Sequence, residues 1–97
     1  MHTIREQSGV RNAVDNAKER WPGAEDAWDA TVWTIARDPT MGKALSEGGK
    51  VRQIVLEGAR SIGLPTVNAT YEIEDDGIIT IHEVTFSDAT AARAGHA

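Results

Sequence analysis

Cysteine is absent from all 97 residues. Disulfides and thiolate metal sites are therefore excluded. Long apolar runs are absent too, since none approaches the ~18 residues that span a bilayer. The opening Met1-His2-Thr3-Ile4-Arg5-Glu6 has no apolar stretch of the signal-peptide kind, so a cytoplasmic protein without membrane contact is expected. Positive charge is scarce. Ten Lys and Arg face fifteen Asp and Glu, for a net charge of −5. That balance disfavours broad electrostatic binding to nucleic acid, which relies on Lys and Arg neutralising phosphates.

Recognisable ligand motifs are also missing. Gly48-Gly49-Lys50 lacks the spacing of a phosphate-binding loop, because Glu47 stands where its first glycine pair would need Gly. The acidic stretch at Glu74–Gly77 lacks the alternating ligands of a calcium loop. His2, His82 and His96 are not spaced as metal ligands. No metal and no cofactor is expected. Asn68-Ala69-Thr70 matches a glycosylation sequon, which carries no weight without a secretory signal.

What is present reads as one small α+β domain over residues 1–97, with a core at about 9–88. Residues 1–8 are polar, with a short edge strand available at Thr3–Arg5. Val10, Ala13, Val14 and Ala17 recur at helical spacing after Ser8, the expected N-cap. Trp21-Pro22-Gly23 stops this helix, because proline cannot continue it. A second helix carries acidic residues in its first turns, where the helix dipole favours them. Ala24, Ala27, Trp28, Thr31, Val32 and Ile35 form its apolar stripe, and Arg37-Asp38-Pro39 ends it. The two helices are expected to form an antiparallel hairpin. Trp33 points away from the stripe, and an exposed tryptophan is a typical interface anchor. It is the candidate partner-binding residue.

Thr40–Lys50 and Gly58–Pro65 read as loops around a strand at Val51–Glu57. Thr66–Phe86 is a β-hairpin: Val, Ile, Thr, Tyr and Phe fill both arms, and Asp76-Gly77 suits the tight turn. Val67, Ala69, Tyr71 and Ile73 share one face, which predicts a sheet buried on one side. In the second arm His82 shares parity with Ile78, Val84 and Phe86. Ser87–Ala97 reads as a short helix or frayed tail. The expected architecture is an antiparallel sheet of three to four strands against an N-terminal helical hairpin.

Metal-independent RNA cleavage needs a base, a cation for the phosphorane charge and an acid. Arg52, Arg60 and His82 are the candidate catalytic residues for it, His82 because imidazole titrates near neutral pH.

The order of these pieces resembles a known family. A helical hairpin ends in Arg37-Asp38-Pro39-Thr40-Met41-Gly42. A strand, a Gly-containing loop and Tyr-Glu-Ile-Glu-Asp-Asp-Gly-Ile-Ile-Thr-Ile (Tyr71 to Ile81) follow. Over residues 9–88 the chain resembles the RelE/ParE toxins of type II toxin–antitoxin modules. The resemblance implies a small sheet packed on two helices. It also implies one of two activities: mRNA cleavage on the ribosome, as in the RelE branch, or poisoning of DNA gyrase, as in the ParE branch. A small cognate antitoxin protein would be the partner. The chain departs from the basic ribonuclease branch. Leu64-Pro65-Thr66-Val67 holds no Arg before the Tyr strand, and Thr85-Phe86-Ser87 holds neither Arg nor His. The hairpin carries five carboxylates (Glu72, Glu74, Asp75, Asp76, Glu83) and no Lys or Arg. The leading expectation is thus a toxin or toxin-derived protein acting by protein–protein contact. The alternatives are a translation-dependent endoribonuclease, and a non-toxic interaction module that pairs as a homodimer through an exposed strand or Trp33.

Overall fold

The computed structural model describes residues 2–89. The chain runs β1 (Ile4–Glu6), α1 (Val10–Arg20), α2 (Ala24–Arg37), a 3-10 turn at Pro39–Met41, β2 (Lys43–Ala44), β3 (Val51–Leu56), a second 3-10 turn at Arg60–Ile62, β4 (Thr66–Ile73) and β5 (Ile79–Ser87). The strands form one sheet of five in the order β1-β5-β4-β3-β2. The α+β character and the helices on a sheet are as expected. The strand count and direction are not. The sheet has five strands instead of three to four, and β1 pairs parallel with β5, so it is mixed. The two edges are three and two residues long: β1 forms one residue on from the edge strand expected at Thr3–Arg5, whereas β2 was not expected. A strand that short shows almost no alternation, and its pairing is settled by the strand it meets. β2 and both 3-10 turns lie in segments expected to be plain loop. Of the tail expected at Ser87–Ala97, the part from Thr90 lies outside the described residues.

Helical spacing explains the layer above the sheet. On α1, Val10, Val14 and Ala17 are buried. On α2, Ala24, Ala27, Trp28, Thr31, Ile35 and Ala36 are buried. The expected Ser8 cap is replaced by Gly9, whose N-cap position makes no side-chain bond. α2 begins at Gly23, where space is short: a Cβ there would lie 2.5 Å from Leu64 Cδ2 and 2.9 Å from Gly63 O. The Gly23 N–H donates to that same Gly63 carbonyl at 3.0 Å, tying the helical hairpin to the β3–β4 connection.

Val67, Ala69 and Tyr71 on β4 meet Ile79, Ile81 and Val84 on β5 to floor the core. Trp28, Ile35 and Val14 close it from above. The parity expected for His82 fails. Tyr71 pairs with Ile81, but Thr70 pairs with Glu83, so His82 is an extra residue in β5. Such a bulge places two residues opposite one and resets the alternation. Ile79 and Ile81 therefore face the helices together with Val84, three residues further on.

Candidate functional site

Two features converge where α2 ends. The first is an anchor beneath the surface. Tyr71 is fully buried on β4, and its hydroxyl donates to the Pro39 carbonyl. The same oxygen accepts the Gly42 N–H at 3.1 Å. A Cβ at Gly42 would collide with this hydroxyl and lie 3.0 Å from Gln53 O, so the 3-10 turn sits against the sheet only with glycine there. Arg52 on β3 holds the other side. Its Nε donates to Gly49 O at 2.8 Å, and its Nη1 donates to Gly42 O at 2.7 Å and Thr40 O at 3.1 Å. Asp38 accepts from the Thr40 hydroxyl and the Thr40 N–H, which lowers its pKa, with the Arg52 charge a lesser cause. Burial raises the Tyr71 pKa against the opposing Gly42 bond.

The second feature lies on top of this anchor. Trp33 is 53% exposed and Met41 is 63% exposed. The Arg37 guanidinium sits over the Trp33 ring, 5.6 Å from its centroid, within the range of a cation–π contact. Trp33, Thr34, Arg37, Asp38 and Met41 line a surface depression of about 380 Å³. An apolar ring, a thioether and a guanidinium suit contact with another protein's apolar and acidic groups.

The three candidate catalytic residues are not brought together. Arg52 spends its donors on backbone carbonyls beside β2. Arg60 is exposed in the 3-10 turn after β3. Four strand residues, about 13 Å of β-structure, separate Arg52 from the end of β3. His82 lies on the bulge, with Nε2 2.9 Å from Glu72 Oε1. Glu72 alternates with buried Tyr71, so this pair occupies the sheet face away from the helices. A cation and a general base are thus on opposite faces. Among the described residues neither Glu57 nor Glu72 pairs with Arg52. Among the described residues no group of three His, Asp or Glu is placed to hold a metal ion, and no helix is long and apolar enough to cross a membrane.

Trp33 was legible in the sequence by its position off the apolar stripe. Arg37 was missed although it stands four residues on, where helical side chains meet. Met41 carried no signal, because the turn that presents it forms only against Tyr71. The carboxylates of the hairpin are partly spoken for. Lys50 pairs with Asp75, which raises the lysine pKa and lowers that of the aspartate, and the Thr80 hydroxyl donates to Glu74. A scan of family models finds none that matches the chain, and neither curated proteins nor solved structures give a match.

Proposed function

We propose that this chain is a toxin, or toxin-derived, component of a type II toxin–antitoxin module of the RelE/ParE kind, and that it acts by protein–protein contact. The observation that carries the reading is the exposed Trp33 with Arg37 over its ring and Met41 beside it. The helical hairpin over a small sheet fits what the sequence resemblance implies. The separation of Arg52, Arg60 and His82 speaks for contact over RNA cleavage, as does the net charge of −5. The partner at Trp33 is the cognate antitoxin.

Induced expression in a bacterial host tests this, with and without co-expression of the product of the adjacent gene. Growth arrest that the neighbour relieves, together with a co-purified complex, is the expected result. Trp33→Ala should weaken that complex roughly tenfold or more, the loss typical of a central aromatic anchor. A neighbour that neither binds nor changes growth would overturn the reading. Ribosome-dependent cleavage mapped by primer extension would favour the endoribonuclease instead. A concentration-dependent dimer without growth arrest would favour the non-toxic module.

A further inference from the structure

The far end of β3 is an open sheet edge. β2 pairs with β3 only at Gln53 and Arg52, and the Leu45 N–H donates to Val51 O. Backbone groups alternate sides along a strand. Lys50 O accepts from Ile73 on the β4 side, and Val51 O faces β2. By that alternation Val55 turns its N–H and C=O away from β4. Opposite Val55 the chain has already left the sheet for the Pro39–Met41 turn. No backbone hydrogen bond joins the two among the described residues. Val55 is 52% exposed on the open face of the sheet.

Beside this edge lies an apolar cavity of about 130 Å³ between β3 and α2. Leu56, Leu64 and Pro65 line it from below, Ala27 and Ala30 from above, and Asp26 and Glu57 also border it. Its size is close to the roughly 150 Å³ of an apolar cavity that accepts benzene. The small side chains of Ala27 and Ala30 leave this space open. Neither Asp26 nor Glu57 pairs with a cation among the described residues.

Edge and cavity share one register. Cross-strand partners point to the same face. In a strand added to β3, the residue opposite Leu56 would therefore point toward α2, into the cavity. Its two neighbours would point to the open face, beside Val55 and Glu57. We propose that the β3 edge from Val55 to Glu57 docks an extended segment of a partner protein, with an aliphatic side chain in the α2 cavity and Lys or Arg as its neighbours on the open face, beside Glu57. Main-chain bonds at the edge would supply affinity, the cavity would select the aliphatic side chain, and Glu57 would select its basic neighbours. This site is separate from Trp33 and does not depend on the toxin reading.

The test uses the full chain and a fluorescein-labelled peptide, Lys-Thr-Lys-Leu-Arg-Thr-Lys, followed by anisotropy. Saturable binding is expected. Hydrogen exchange should slow at the Val55 and Glu57 amides. Ala30→Leu, which fills the cavity, should weaken binding at least roughly tenfold, the range in which losing a buried anchor is felt. Glu57→Lys should weaken it several-fold. Two peptides N-methylated at alternate residues give a check that needs no protein variant. One places its methyl groups against the edge and should not bind, while the other should. The proposal is overturned by absent saturation, by equal binding of both methylated peptides, or by a folded Ala30→Leu variant that binds like the parent. Equal binding of the peptide with Glu in place of Lys and Arg would overturn the basic preference.

Discussion

At the residue scale, Tyr71 does the most to shape the candidate site. Its ring belongs to the core, and its hydroxyl is both donor to Pro39 O and acceptor from the Gly42 N–H. Tyr71→Phe keeps the ring but leaves both backbone groups without that partner. A buried polar group left unpaired costs about 1–3 kcal/mol. Urea unfolding should therefore show a loss in that range with an unchanged m-value. The same residue sets a pH dependence. Burial raises its pKa above the ordinary 10.0. The unfolded chain then loses this proton first as pH rises, so the stabilisation is whole below pH 10.0 and is lost as pH climbs through the folded value. Thermal melts across alkaline pH should show this decline in the parent and a weaker one in Tyr71→Phe. Tyr71 is the only tyrosine, so its phenolate absorbance reports the ionisation directly. Lys50 adds a parallel alkaline loss, because its pKa is raised by Asp75, and the phenylalanine variant separates the two. Trp33 behaves in the opposite way. More than half exposed, it contributes little to the core. Trp33→Ala should leave the unfolding free energy within about 0.5 kcal/mol, so its effect on a partner can be read without a folding correction.

At the element scale, the bulge in β5 is the feature with the widest reach. Because His82 is supernumerary, removing it leaves Ile81 opposite Tyr71 and Glu83 opposite Thr70. The inward set Ile79, Ile81 and Val84 then survives in a regular ladder. Deletion of Thr80 has no such escape. It brings Ile79 and Ile81 next to each other, and one must turn outward. A chain lacking His82 should fold with the same amide dispersion as the parent. A chain lacking Thr80 should lose at least about 2 kcal/mol, the worth of burying one isoleucine. Denaturant titration of the two deletions checks this. The helices and the main hairpin were legible in the sequence, since 11-residue and 14-residue helices and strands of eight and nine residues repeat their pattern often enough to be read. The bulge was not. A single extra residue leaves only a local break in alternation, and Ile78-Ile79-Thr80-Ile81 blurs even that by being apolar on both parities.

At the scale of the whole molecule, sheet and helices are two halves of one core. The thinnest extent is 21 Å, about what one helix layer on one sheet occupies, given the roughly 10 Å spacing of packed layers. Every large side chain that seals the sheet from above, Trp28, Ile35 and Val14, comes from the first 37 residues. A chain beginning at Pro39 would expose the whole floor of that core. It should be unfolded by NMR dispersion and far-UV circular dichroism, and it should regain structure when the helical hairpin is supplied as a separate peptide. Charge follows the same division. Among the described residues, Arg11 and Lys18 on α1 and Glu25 on α2 form an ion-paired group across the helices, while the open face of the sheet carries His82 against Glu72. Exposed pairs of this kind add little stability. They do leave Trp33, Arg37 and Met41 as an apolar and cationic region on an otherwise acidic protein.

The sequence by itself determined the α+β class, both helices, the strand at Val51–Leu56 and the hairpin, because periodic burial is a local property that each segment carries alone. It also singled out Trp33, a tryptophan off an apolar stripe. Tertiary structure alone decided the five-stranded mixed order, the bulge at His82, the turn that brings Met41 beside Trp33, and the open edge at Val55. Each of these depends on which strand or side chain a short segment meets, a relation between residues far apart in the chain that no local pattern encodes. For the same reason Arg52, Arg60 and His82 looked like a set in the sequence. Pairing of β3 with β4 and of β4 with β5 sends them to different faces and ends of the sheet.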